Sequence, residues 1–144
     1  MRVVVFVKAT ADSEAGAMPT PELTEAMGKF NTLLIDNGIM VSGDGLTPSS
    51  LGKRVLFDGR DRIVTDGPFT ETKEVVAGFW IWQVKDVDEA VAWVKRCPNP
   101  MPTKSEIEIR PILDFEEAFA EVLTPELRAL HESNREKLDS QSKA

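Results

Sequence analysis

Between Gly78 and Val84 bulky apolar side chains fall on both faces of one short extended segment, Phe79 and Ile81 alternating against Trp80 and Trp82. A strand that is apolar on both sides needs cover on both sides, which places it inside a sheet. Arg2 to Lys8 has the same character, a β-branched run with a charge at each end, and reads as a second central strand. Two such strands commit the chain to a layered fold around one core, and 144 residues suffice for that without disulfides or a structural metal.

The segments around these strands supply the other layer. Ala9 to Met18 lacks periodicity and is predicted to be a surface loop. Thr20-Pro21-Glu22 then combines an N-cap, a proline at the first helical position and a favourable acid. Leu23, Ala26, Met27, Phe30, Leu33 and Leu34 follow at helical spacing, and Gly38 supplies the αL stop. Ile39 to Ser42 is a short strand, expected to break at Gly43-Asp44-Gly45. Lys53 to Phe57 and Arg62 to Thr65 flank Asp58-Gly59-Arg60-Asp61, the pattern of a hairpin with a four-residue connection. Asp86 and Glu89 cap a second helix with Val87, Ala90, Val91 and Val94 expected on its buried side, and it must stop before Pro98. Ser105 to Ile112 alternates as a half-exposed strand.

The order is β-α-β, hairpin strands, β-α-β, which predicts an α+β chain of the ferredoxin-like (dimeric α/β barrel) type, with an antiparallel sheet and both helices on one face. The second face of that sheet needs a cover. A second copy is the expected one, making a homodimer, with the C-terminal helices as the alternative. The domain is expected over residues 1–113. Residues 114–144 form a helical extension carrying Phe115, Phe119, Val122, Leu127, Leu130 and Leu138, and Asp139 to Ala144 are expected to be disordered because none is strongly apolar.

Charge and composition exclude several classes. With 17 basic against 24 acidic residues the net charge is -7, and the scattered cations do not suit nucleic acid. The apolar runs are too short to cross a membrane, and no secretory leader is seen at Met1-Arg2. Cys97 is the single cysteine, so a cytoplasmic setting is expected. It precedes Pro98 at a helix C-terminus, where the dipole disfavours a thiolate. His131, the single histidine, lies among Glu132, Arg135 and Glu136 and reads as a solvated surface residue. No metal-ligand set or phosphate-binding glycine loop is present, so neither a metal nor a cofactor is expected.

The candidate site is the loop at Asp66-Gly67-Pro68. Its plain reading is a turn, since Asp bonds its own backbone, Gly permits positive φ and Pro directs the exit. Its functional reading rests on Thr70, Glu71, Thr72 and Lys73, all polar and close in sequence, with Asp44 and Arg110 joining from strand ends. If Asp66 and Asp44 faced one apolar pocket beside Trp80 or Trp82, the pKa of one would rise, which would make its carboxylate a better base. Trp80 would also suit the wall of a cleft for a small aromatic or apolar ligand.

Val64-Thr65-Asp66-Gly67-Pro68-Phe69-Thr70-Glu71-Thr72-Lys73-Glu74, with Gly78-Phe79 after it, resembles the signature of the DGPF-motif branch of the YCII-related proteins. Gly43-Asp44-Gly45-Leu46-Thr47-Pro48-Ser49, Asp86-Val87-Asp88-Glu89-Ala90 and Ile109-Arg110-Pro111-Ile112 resemble it too, over about residues 2–113. The resemblance implies a ferredoxin-like dimer, shaped like muconolactone-isomerase-type proteins, with a cleft between sheet and subunit interface. It also implies a bacterial setting beside extracytoplasmic-function sigma factors. Other branches carry a His on the first helix, proposed to act with an Asp as an acid–base dyad; here that position falls near Met27. Three readings stand: a homodimer binding a small organic molecule, a lyase or isomerase using Asp66 or Asp44, and an interaction module whose C-terminal helices meet a sigma factor.

Overall fold

Val3, Val5 and Val7 point to one side of strand β1 (Arg2–Lys8) and are buried there, while Val4, Phe6 and Lys8 point to the other. In the computed structural model, which describes residues 1–142 apart from the side chain of Lys73, β1 lies at the centre of a four-stranded sheet. The other strands are β2 (Met40–Gly45), β5 (Val76–Gln83) and β6 (Ile107–Pro111), in the order β2-β5-β1-β6. Every pairing is antiparallel, with Val5 opposite Trp80 and Val3 opposite Trp82. This is the expected α+β ferredoxin-like plan.

The core fills one face of this sheet. Phe30 and Leu34 of α2 (Pro21–Asp36) and Ala90 of α3 (Val87–Lys95) pack on Val3, Val5, Val7, Trp80 and Trp82. Phe30 meets Trp80 edge-on, with ring centroids 6.1 Å apart. The cap of α2 is as the sequence requires, with Thr20 accepting from the Leu23 N–H and Pro21 opening the helix.

Four local expectations change. Strand β2 does not break at Gly43; it runs to Gly45, because Gly43 lets the Trp80 ring lie against the backbone, where a Cβ would meet Trp80 Cδ1 at 2.6 Å. The hairpin, β3 (Lys53–Asp58) and β4 (Asp61–Asp66), has a two-residue turn with Gly59 at φ 58°, and it forms a separate two-stranded sheet. Val87 and Val91 are each 37% exposed, the buried side of α3 being Ala90 with Trp93 and Val94. Within the expected surface loop, Ala11–Glu14 forms a helical turn, α1, closed by a Thr10/Ser13 capping box.

The chain forms two compact units, Met1–Ile112 and Leu113–Ala144. The second holds α4 (Phe115–Ala118) and α5 (Pro125–Ser142). Helix α5 continues through Asp139 to Ser142, since extending a formed helix is far cheaper than nucleating one. Lys143 and Ala144, part of the expected disordered end, lie outside the described residues. No helix among the described residues is long and apolar enough to cross a membrane.

Candidate functional site

A cavity of about 620 Å³ in the first unit lies between α2, the edge strand β2 and the Gly16–Pro19 segment. Its lining includes Met18, Met27, Met40 and Met101, four of the five methionines of the chain. Thioether side chains are flexible and polarizable, so they make an adaptable apolar wall. Trp80 supplies the aromatic part of that wall, and its Nε1–H donates to Asn31 Oδ1 at 2.9 Å. The indole is thereby fixed, and Asn31 keeps its amide N–H groups for other partners. Ser13 and Asn31 bring neutral polar groups to the lining, and Asp44 brings its carboxylate. This is the composition of a small-molecule site, mostly apolar with a few convergent polar groups.

The cavity joins Trp80 and Asp44 among the residues singled out in the sequence. Asp44 pairs with Phe79 and so belongs to the sheet face away from the helices, meeting the cavity at the edge of the sheet. The others go elsewhere. Asp66 is exposed at the base of the hairpin and forms an ion pair with Lys53, its partner across the two strands. Thr70 and Glu71 are exposed, and Thr72 lines a different cavity of about 460 Å³ with Lys8, Thr10 and Thr103. The backbone of Lys73 is in a short 3-10 turn, Thr72–Glu74; its side chain lies outside the described residues. Arg110 stands on β6, at the opposite edge of the sheet from Asp44, and its guanidinium is 3.4 Å from Glu108. Three strand spacings of about 4.8 Å separate those edges. Asp66 does not line the cavity that Asp44 borders.

His131 behaves differently from its sequence reading, whereas Cys97 keeps a disfavoured thiolate for a second reason, burial. His131 is half-buried in the second unit and stacks on Phe115 with ring centroids 3.7 Å apart. It lines an apolar groove of about 300 Å³ with Phe119, Val122, Leu127 and Leu130. Cys97 packs against the core, 4.0 Å from Met27 Sδ, and burial pushes its thiol up to about 11. Among the described residues no group of three His, Cys, Asp or Glu side chains converges as a metal site would require.

Sequence reasoning missed the residue that holds the loops together. Ser49 is buried; its N–H donates to Glu14 Oε1 at 3.0 Å, its hydroxyl to the same carboxylate, and its Oγ accepts from the Phe69 N–H at 2.9 Å. One hydroxyl thus ties α1, the β2–β3 connection and the Asp66 loop. Glu14 carried no signal, being one acid in an aperiodic stretch, although Ser49 and Phe69 both lie in segments that carried the resemblance.

Comparison with known proteins agrees with this architecture. The chain is 33% identical over 67 residues to an uncharacterized protein of Rhizobium meliloti (strain 1021), a match covering 46% of this chain and 54% of that protein. The chain thus spans about half the length of the curated relative it matches. The YCII-related domain matches residues 1–116, taking in all six strands and the first three helices. With the match covering so much of its length, the chain belongs to the YCII-related domain family.

Proposed function

We propose that this protein is a homodimeric, cytoplasmic binding protein of the DGPF branch, whose methionine-lined cavity takes a small aromatic or apolar molecule. The cavity carries this reading: about 620 Å³ suits a compact organic ligand, and four thioethers with one anchored indole favour a polarizable one. Met27, near the helix position where the family resemblance places a proton-transfer histidine, adds a soft contact there. Use of Asp66 or Asp44 as an acid–base group has narrower support, since Asp44 alone of the two borders the cavity.

The dimer is supported by the face of the sheet away from the helices. Val4, Phe6, Phe79 and Ile81 stand together there through their cross-strand pairings, rimmed by Lys8, Asp44, Glu108 and Arg110. An apolar centre with a charged rim is the anatomy of a protein interface. A second reading, an interaction module with a sigma-factor partner, is favoured by the C-terminal unit, where Val122 and Leu130 are 63% and 57% exposed.

A thermal-shift screen against small aromatic and carboxylic metabolites separates these readings. Ligand at a hundredfold excess over its Kd should add about 2.7 kcal/mol, a rise of several degrees in Tm. The rise should persist in a chain ending at Ile112, because every lining residue precedes it, and vanish in Ala17→Trp, which fills the cavity. No stabilising compound, or stabilisation indifferent to Ala17→Trp, would sink the binding reading.

A further inference from the structure

The hairpin carries the densest cluster of exposed apolar side chains in the first unit. Val55, Leu56, Phe57, Ile63 and Val64 are 52%, 58%, 72%, 48% and 59% exposed. They occupy both faces: Val55 opposes Val64 on one, and Leu56 opposes Ile63 on the other. A two-stranded ribbon is marginally stable alone, and both of its edges present unpaired N–H and C=O groups. The base of this ribbon is firmly held. The Gly67 N–H donates to the Gly52 carbonyl at 3.0 Å, and the Arg54 guanidinium lies 3.8 Å from the centre of the Phe69 ring.

We infer that the outer edge of β3 pairs antiparallel with β3 of a second copy about a two-fold axis at Leu56, joining the hairpins into one four-stranded sheet. This rests on the homodimer reading above and adds a contact that the reading does not contain.

Strand stereochemistry supports that register. Asp58 and Asp61 close the two-residue turn as an inward-bonded pair, so by alternation Val55 and Phe57 turn their N–H and C=O groups away from β4. A two-fold axis normal to the sheet at Leu56 sets Val55 of each copy opposite Phe57 of the other, with backbone groups ready to bond. The same register sets Arg54 opposite Asp58 twice, and Leu56 opposite Leu56. Two charge pairs, two apolar pairs and a central leucine pair all fit, and cross-strand pairs of these kinds favour sheet formation. On one face a row of Ile63, Leu56, Leu56 and Ile63 then crosses all four strands. Net charge agrees: the ribbon from Lys53 to Asp66 has four basic and three acidic residues in a chain of net charge -7, so two ribbons meet without the repulsion carried by the rest.

Sedimentation of the full chain tests the contact through Leu56→Lys, which opposes two lysines at the axis, and through Arg54→Asp, Asp58→Arg and their double variant. These side chains are exposed, so circular dichroism should report an intact fold; Arg54→Asp also removes the Phe69 contact at the ribbon's base, so Asp58→Arg and the double variant carry the charge test, and if Leu56→Lys unfolds, they decide. Leu56→Lys should weaken association at least tenfold. Each single charge variant should weaken it severalfold, and the double variant should return it to the wild-type value. A wild-type dimer converted to monomer, or a wild-type tetramer split into dimers, supports the edge contact. A wild-type dimer indifferent to all four variants overturns the contact and leaves the homodimer reading standing. A monomeric wild type overturns both.

Discussion

A Cβ placed on Gly67 would come 1.7 Å from the Ser49 carbonyl oxygen, a backbone atom that cannot swing aside. Gly67→Ala should therefore destabilise the protein by on the order of 3 kcal/mol, measured by urea unfolding; a loss below about 1 kcal/mol would mean that the loop shifts freely. The sequence announced a turn at Asp66-Gly67-Pro68 through local backbone chemistry. It did not announce that the glycine makes room for Ser49, because that contact joins segments on either side of the hairpin. Cys97 supplies the pH-dependent case. Burial raises its thiol from 9.0 to about 11. Between those values the unfolded chain releases the proton and the folded chain keeps it, so stability falls as pH rises through the window and is unaffected below it. Wild type should lose stability against Cys97→Ala from pH 9 to pH 11, and parallel curves would remove the thiol as the cause.

Helix α3 shows how far periodicity reaches. Val87, Ala90, Val91 and Val94 form one apolar arc, and the pattern treats them alike. In the structure the contact is rotated toward Trp93, Val94 and Cys97, which pack against the core with Ala90, and Val87 and Val91 are left at the margin. Ala90 is 0% exposed, so Ala90→Leu should cost about 1–3 kcal/mol by overpacking. Val91→Lys should stay within about 0.5 kcal/mol. Chemical denaturation of the pair checks the ranking, and equal losses would contradict the rotated contact. The hairpin behaves similarly: both strands were readable from their β-branched runs, while the tighter turn depended on Gly59 taking φ 58°.

For the molecule as a whole, the strand and helix order and the interior position of β5 followed from residue spacing. So did the family, through motifs that are local in the chain. These features are legible because each depends on neighbours a few residues apart, where side-chain direction repeats every two or every 3.6 residues. The candidate site was only half legible. Trp80 and Asp44 meet at the cavity, whereas Asp66 is carried off by the hairpin to pair with Lys53. Met18, Met27, Met40 and Met101 come from four separate segments, and Ser49, in the β2–β3 connection, meets Glu14 of α1. Such convergence is set by how the sheet, α2 and the intervening loops pack, and no periodicity records it. Local chemistry chose the elements; packing chose which of their side chains would share a wall.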